Sequence, residues 1–186
     1  MSDTTSSAER LRVAIHQHLG LVRVIGRGSY RISPGLKDFS SAALNRGVNG
    51  IVLDMIDCIG MDSTFMGVLA GLSMRLAGKS PPENGRVVLI NLSPKLRRLL
   101  TTLGLDQLVD VYLAGETPAE LAALTKRGLQ ESGTDTASEA SRKERMETML
   151  SAHEDLVEAL PQNKPQFKDV LDFLRQDIAR ESASHE

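Results

Sequence analysis

Short apolar runs alternate along this chain with longer stretches in which apolar residues stand three or four positions apart. The short runs predict β-strands at residues 19–25, 30–32, 51–55, 86–92 and 108–112. Helical spacing and helix-start signals predict helices near residues 39–46, 62–77, 94–103 and 117–128. The resulting order, β, β, α, β, α, β, α, β, α, indicates an α/β domain with a largely parallel or mixed sheet.

The helix predicted at residues 62–77 has the best-defined start. The apolar residues that share its buried face are Met66, Leu69, Leu72 and Leu76. Asp62 is the expected N-cap, because its carboxylate accepts hydrogen bonds from the free backbone N–H groups of the first turn. Ser63 and Thr64 then stand on that first turn, at the tip of a strand–loop–helix unit that begins with the strand at residues 51–55.

Beyond residue 130 the pattern changes to a polar linker followed by two apolar stripes at helical spacing. The first stripe consists of Met146, Met149, Leu150, His153, Leu156, Val157 and Leu160. The second consists of Phe167, Val170, Leu171, Leu174 and Ile178. The stripes predict an amphipathic helical hairpin that packs on the sheet domain, on a second copy of the chain or on a partner. His153 is expected at a helix interface.

The predicted organisation is one domain with an appendage, which suits a length of 186 residues. A flexible tail is predicted at residues 1–11, the α/β domain at 12–130, the linker at 131–139, the hairpin at 140–181 and a second flexible tail at 182–186.

Composition and charge narrow the class of protein. A net charge of −2 and a pI of about 6.1 argue against direct nucleic-acid binding. Cys58 is the single cysteine, so an internal disulfide is excluded and a reducing cytoplasm is expected. No apolar run is long enough to span a membrane, and residues 1–9 lack the apolar core of a secretory signal. A cytoplasmic protein without a membrane partner is therefore predicted.

Ser63 admits two interpretations from its local chemistry. As a phosphate acceptor it would use the free N–H groups and the dipole of the helix N-terminus, which favour an added anion. The new charge would lie beside Asp62 and would repel a partner docked on a neutral surface. Alternatively, the residues from Asp62 to Thr64 only cap the helix.

The loop aspartates are the other group with metal or catalytic chemistry to consider. Asp54, Asp57 and Asp62 offer oxygen ligands for Mg²⁺, but they lack an accompanying phosphate loop or an acid–base partner. Carboxylates that hold the loop are the preferred interpretation. His16 and His18 have no further ligand nearby in the sequence. We therefore expect no enzyme activity, no metal and no cofactor, with a small-ligand or nucleotide-binding protein as the weaker alternative.

Three parts of the chain together resemble the STAS domain, named for sulfate transporters and anti-sigma factor antagonists. They are the strand that ends at Asp54, the run from Met61 to Leu69, and the strand at residues 87–92 followed by Ser93 and Pro94. The resemblance covers roughly residues 12–130 and implies a mixed sheet with helices on one side. Two positions depart from the family pattern: Phe65 replaces the usual glycine and Met66 replaces a leucine.

The resemblance also implies a function in signal transduction and transcription regulation. In the antagonist branch of the family, the serine that corresponds to Ser63 is phosphorylated by a partner kinase, which is also the anti-sigma factor. Partner binding would involve Asp62, Ser63, Thr64, Phe65 and Met66, and Asp54 would stabilise the loop. An unphosphorylated STAS scaffold or oligomerisation module, including a homodimer, is the alternative.

Overall fold

The computed structural model describes residues 9–78, 85–136 and 139–183. The strands are β1 Arg10–His16, β2 Leu19–Gly28, β3 Gly50–Asp54, β4 Cys58–Met61, β5 Val87–Leu92, β6 Asp110–Leu113 and β7 Thr134–Thr136. The helices are α1 Ser33–Asn45, α2 Ser63–Ala77, α3 Pro94–Leu103, α4 Ala119–Ser132, α5 Arg142–Ala159 and α6 Lys164–Ala183. Short 3₁₀ turns at Leu105–Gln107 and Pro161–Asn163 follow α3 and α5.

The sheet is mixed, and its strand order is β6-β5-β3-β2-β1-β7. Strands β2, β3, β5 and β6 run parallel to one another, whereas β1 pairs antiparallel with β2 and with β7. Strand β4 pairs in parallel with the end of β2, outside the main order. The predicted α/β fold with a mixed sheet is confirmed.

Strand β1 is the main element that the sequence prediction missed. It forms a hairpin with β2 across a two-residue turn, in which Gln17 has a φ of 55°. Apolar residues alternate with arginine here, and Leu11 and Val13 are buried. Arg10 and Leu11, placed in the tail by the prediction, therefore belong to the sheet. Residues 1–8 of that tail lie outside the described residues.

The strand predicted at residues 30–32 is wrong. The backbone N–H groups of Ile32 and Ser33 both donate to the carbonyl oxygen of Ser29, which makes a turn that leads directly into α1. Pro34 in the first turn of α1 favours this start, because proline has no N–H to leave unsatisfied there. The turn brings Tyr30 close to the beginning of α2, as described below.

The sheet separates two apolar clusters because neighbouring residues of a strand point to opposite faces. The larger cluster receives Leu36 from α1, Leu69 from α2, Leu96 from α3 and Leu156 from α5. The smaller cluster consists of Ala14, Leu21, Val52, Ile90 and Leu129. Leu129 belongs to α4, so this helix covers the second face and is an addition to the one-sided arrangement that the resemblance implies.

The C-terminal helices form the predicted pair, and they pack on the domain. Ala152 and Leu156 of α5, together with Leu160 and with Phe167 of α6, belong to the same buried cluster as the residues of α2. Burying a large apolar side chain stabilises a fold by roughly 1.5–3 kcal/mol. Leu156, Leu160 and Phe167 together therefore contribute about 5–9 kcal/mol. That range is comparable with the total stability of many domains. The hairpin is therefore part of the core.

The residues between the domain and the hairpin contain further structure. Thr134–Thr136, within the predicted linker, form β7 and extend the sheet beside β1. Residues 137 and 138 of that linker and residues 184–186 of the predicted C-terminal tail lie outside the described residues. None of the helices in the described ranges combines the length and the apolar character that a bilayer crossing requires.

We expect Leu156→Ala to destabilise the whole chain by about 3 kcal/mol, because it opens a cavity beside α2. Leu156 is fully buried, whereas Val170 on α6 is 38% exposed. Val170→Ala is therefore the matched control and should lower stability by less than about 1 kcal/mol. Urea unfolding followed by circular dichroism measures both values. A hairpin that unfolds separately would instead give two transitions and leave that of the sheet unchanged.

Candidate functional site at the N-terminus of helix α2

Asp62 caps α2 and also joins it to the turn before α1. One carboxylate oxygen, Oδ1, accepts from the backbone N–H of Phe65 at 2.9 Å, and Oδ2 accepts from the N–H of Tyr30 at 2.7 Å. Its extended backbone, with φ −103° and ψ 172°, is typical of an N-cap residue. A single side chain thus fixes the helix start and the neighbouring turn.

Ser63 is the first residue of α2, and its hydroxyl lies 3.0 Å from Nε2 of His153 on α5. The other ring nitrogen, Nδ1, lies 2.7 Å from the carbonyl oxygen of Met149. A carbonyl oxygen only accepts, so Nδ1 donates to it, and in the tautomer with a single hydrogen on Nδ1 the other nitrogen, Nε2, is an acceptor. The Ser63 hydroxyl therefore donates to His153.

The His153 ring is held in place from two sides. The residue is buried, and its ring centroid lies 5.0 Å from that of Phe167 on α6 with an interplanar angle of 55°. The hydrogen bond to Met149 fixes the ring against its own helix. The hairpin thus presents a positioned acceptor to Ser63, and His153 does lie at the helix interface that its apolar stripe predicts.

Two glycines of α2 allow α5 to approach this closely. A Cβ at Gly67 would collide with the backbone of Ala152, at 2.6 Å from its carbonyl carbon. A Cβ at Gly71 would lie 2.7 Å from the carboxylate carbon of Asp155. The helices are therefore in contact along the turns that follow Ser63.

The predicted partner-binding residues after Ser63 have little exposed surface in the folded chain. Thr64, Phe65 and Met66 are buried, and Phe65 has no exposed surface. The reason is visible at Gly28 of β2, where an added Cβ would lie 2.9 Å from Cδ1 of Phe65. The aromatic ring fills the space left by Gly28, so Phe65 faces the core. The partner-binding role of these residues remains a prediction.

Exposed apolar side chains occur instead in the loop and strand that precede Asp62. Ile59 is 69% exposed, Ile56 is 55% exposed and Tyr30 is 37% exposed. The sequence analysis overlooked them. A signal was present, because Ile59 alternates with the buried residues Cys58 and Gly60 along β4, as an outward-facing strand residue does.

Asp54 lies on the other face of the sheet from Ser63, on the side of α4. The parallel register places it beside Arg23, whose Nη2 donates to its Oδ2 at 2.7 Å. Its Oδ1 accepts from the side-chain amide of Asn91 at 2.8 Å and from the backbone N–H of Ile56 at 3.2 Å. The last contact fits a residue that holds the loop after β3. The sequence motif thus divides into two sites separated by the sheet.

The remaining candidate ligands are dispersed. Asp57 lies 4.0 Å from Nε of Arg23, and its side chain is 51% exposed. His18 is exposed, whereas His16 is half-buried beside Gly128 of α4. Within the ranges 9–78, 85–136 and 139–183, no three His, Cys, Asp or Glu residues are placed to hold a metal ion.

The strand–loop–helix unit with Asp62 and Ser63 at its tip matches a known domain family. Residues 11–110, more than half of the chain, match the family model described as "Mlab, STAS domain". The chain belongs to the STAS domain family. Helices α5 and α6 lie outside the matched residues, so His153 is contributed by a part of the chain beyond the STAS domain.

The fold is shared with a solved structure. The unphosphorylated form of the anti-sigma factor antagonist SpoIIAA has 21% sequence identity and a TM-score of 0.50, over 63% of this chain and 96% of that protein. A putative anti-sigma factor antagonist from Thermotoga maritima has 22% identity and a TM-score of 0.48, over 63% and 95%. One from Mycobacterium paratuberculosis has 19% identity and a TM-score of 0.49, over 62% and 92%. No curated protein sequence gives a significant match.

His153 is the site residue whose role the sequence analysis missed. Ninety positions separate it from Ser63, and no motif of the STAS domain includes it. The signal was its position in the middle of an apolar stripe, where a polar ring needs a hydrogen-bonding partner. Sequence spacing alone does not identify that partner.

The Asp54 network predicts a matched pair of substitutions. Asp54→Ala should destabilise the STAS domain by about 3 kcal/mol, because it leaves Arg23 and Asn91 without their acceptor. Asp57→Ala removes only a long, exposed ion pair and should cost between about 0 and 1 kcal/mol. Chemical denaturation measures both. Equal effects would mean that the buried network adds nothing to stability.

Asp155 predicts a pH dependence of the α2–α5 contact. Burial raises the pKa of Asp155 from its ordinary value of 3.8, and Glu158 and Glu154 raise it further against the opposing effect of Lys37 and Arg75. The folded chain thus binds this proton more tightly than the unfolded chain. Stability should therefore fall as the pH rises from 3.8 through the raised pKa.

Asp155→Asn should therefore be more stable than the wild type at about pH 7 and closely similar at about pH 3. Thermal unfolding at a series of pH values gives the comparison. Glu147→Gln, on an exposed part of the same helix, is the control and should change neither value. A wild type that is more stable than Asp155→Asn at neutral pH would contradict the stated cause.

Proposed function

We propose that this chain is an anti-sigma factor antagonist or a close signalling relative. It binds a protein kinase that is also an anti-sigma factor, and phosphorylation of Ser63 ends that binding. The observation that carries the proposal is the position of Ser63. It is the first residue of α2, directly after the N-cap Asp62 and close to exposed apolar side chains of the preceding loop and strand.

The exposed residues supply the surface for a protein partner. Tyr30, whose backbone N–H binds Asp62, and Ile59 of β4 present apolar area near the start of α2, with Lys95 near the carbonyl oxygen of Ile59 at 3.5 Å; Ile56 is exposed in the loop before β4. Clustered apolar side chains on a surface are characteristic of sites where proteins bind each other. This surface supplies exposed apolar area that the buried residues 64–66 do not.

A phosphate on Ser63 changes the charge of that surface. The group adds roughly −1.5 to −2 charges next to the carboxylate of Asp62. The first-turn N–H groups of α2 favour an anion, which supports modification at this position. A partner with acidic groups opposite this spot would be repelled. Phosphorylation then acts as an electrostatic release.

The family supports this assignment. The chain belongs to the STAS family, and SpoIIAA, which shares its fold, is described as an anti-sigma factor antagonist in an unphosphorylated form. We extend that role to this chain as part of the proposal. A cytoplasmic location follows from the same role.

We propose a binding protein in preference to an enzyme. A serine hydroxyl bonded to a histidine ring resembles the nucleophile and general base of some enzymes. Here, however, the His153 ring is buried in the contact between α5 and its neighbours. A cavity of about 680 Å³ between α1 and α5 is lined by neither residue. The hydrogen bond is thus better explained as a contact between two helices.

An unphosphorylated scaffold is the second candidate function, and the Ser63–His153 hydrogen bond favours it. The hydroxyl already has a partner in the folded chain. In addition, α6 exposes Phe173, which is 63% accessible, and Val170. A second copy of the chain is the occupant that this alternative predicts, and sedimentation of a strict monomer would count against it.

The test of the proposed function uses wild type, Ser63→Ala and Ser63→Glu as baits in native cytoplasm. We expect one partner to be retained by wild type and Ser63→Ala and lost by Ser63→Glu, because the added charge repels it. Mass spectrometry identifies the partner, which should carry a kinase domain. Ala119→Glu, at the first residue of α4, is the matched control and should retain the partner.

The same experiment separates the two candidate functions. If all three Ser63 baits retain the same partners, charge at residue 63 does not control docking. The scaffold function would then be the better assignment.

A further inference from the structure

The Ser63 hydroxyl is engaged in the folded chain, and the residue is half-buried. A kinase must place the γ-phosphate of ATP within about 3–3.5 Å of the attacking oxygen and in line with it. Here the hydroxyl proton is directed at Nε2 of His153, and α5 continues along α2 past Gly67 and Gly71. The hairpin thus occupies the space beside the acceptor.

We propose that α5 is a built-in lid over Ser63, held closed by its apolar packing on α2 together with the Ser63–His153 hydrogen bond, and shifted toward the open state by a phosphate on Ser63. The role of the phosphate rests on the proposed function, whereas the existence of the lid does not. A kinase reaches Ser63 only in chains whose α5 has moved away from α2.

The chemistry of phosphorylation removes the bond that closes the lid. Transfer from ATP forms a bond between Ser63 Oγ and the γ-phosphorus, breaks the bond to the oxygen of the leaving ADP, and releases the hydroxyl proton to a base of the kinase. The resulting ester oxygen has no hydrogen to donate. The hydrogen bond from Ser63 Oγ to Nε2 of His153 is therefore lost, which removes one of the contacts that hold the closed state.

The closed packing also restricts the side of the acceptor that faces α5. The ring of His153 is confined by Phe167 and by its bond to Met149, so it does not swing aside. The backbone of Ala152 rests against Gly67, so α5 does not shift locally. Asp62 adds a carboxylate directly beside the acceptor. Relief comes from separating the two helices.

The lid sets a threshold for partner binding. A partner that needs the open chain has its apparent affinity reduced by the fraction of chains that are open. The surface formed by Tyr30, Ile56 and Ile59 stays exposed in the closed chain and offers a first point of contact. Modification then leaves the apolar face of α5 uncovered, which distinguishes the phosphorylated chain structurally.

Hydrogen exchange of the full chain tests the lid. We expect α5 amides near His153 to exchange at least about tenfold faster in Ser63→Glu than in wild type, because the hydroxyl is lost and a charge is added. Ser63→Ala, which loses only the hydroxyl, should show a smaller acceleration. Ala119→Glu places the same charge at the same helix position of α4 and should leave α5 unchanged.

Amides of β3 and β5 report whether the domain remains folded, and they should keep their protection in every variant. Unchanged or slower exchange of α5 in Ser63→Glu would overturn the proposal. Slower exchange would mean that an acidic group at residue 63 binds His153 and closes the lid more tightly.

A second measurement reads access to residue 63 directly. The variant for this measurement carries Ser63→Cys together with Cys58→Ala, so that the thiol at position 63 is the one that reacts with N-ethylmaleimide. We expect the thiol introduced by Ser63→Cys to react at least about tenfold more slowly than the thiol introduced by Ala119→Cys at an exposed position. Adding Gly67→Ala should accelerate the reaction at position 63, because the new methyl collides with Ala152 and separates α5 from α2. Alanine favours a helix more than glycine does, so α2 itself should not be weakened.

Equal reactivity at the two positions, or no effect of Gly67→Ala, would show that α5 does not protect Ser63. These measurements need no kinase or partner. A failure of the lid therefore leaves the proposed function standing, and the loss of charge-dependent partner binding leaves the lid standing.

Discussion

The close contact between α2 and α5 is the constraint on which the rest of this structure depends. Gly67 lets the two helix backbones meet and Gly71 leaves room for the Asp155 side chain; the same contact has His153 within hydrogen-bonding distance of Ser63. The contact also lets Leu156 of α5 join the buried apolar cluster of the domain. Stability and access to the site are thus set by the same pair of helix faces.

Much of the fold was accessible from sequence because local signals agreed with the final packing. The N-cap at Asp62 and the apolar spacing behind it predict α2 within one residue of its observed start. The amphipathic stripes likewise predict α5 and α6. Strand β1 was missed although its apolar residues alternate with arginine, because the alternation covers only Arg10 to Val13 before the apolar pair Ala14 and Ile15. The strand predicted at residues 30–32 failed because Pro34 begins α1 so close behind.

The site was predictable only in part, because its contacts are long-range. Ser63 and Asp62 are neighbours in the chain, whereas His153 reaches them through the folding of the hairpin. Asp54 looked like a member of the same group, but the alternation of strand residues places it on the opposite face with Arg23. Phe65, which replaces the usual glycine of the family pattern, is buried because Gly28 on a distant strand leaves room for its ring.

The order of the chain gives the α2–α5 contact a consequence in time. Ser63 is synthesised ninety residues before His153. At about 5–20 residues per second, a ribosome needs roughly 5–20 s to cover that distance. Strands β1 to β4 precede Ser63, and β5, β6 and β7 are made during this interval, whereas α5 does not yet exist. Every newly made molecule therefore passes once through a stage in which its serine is uncovered, whatever the equilibrium of the finished protein.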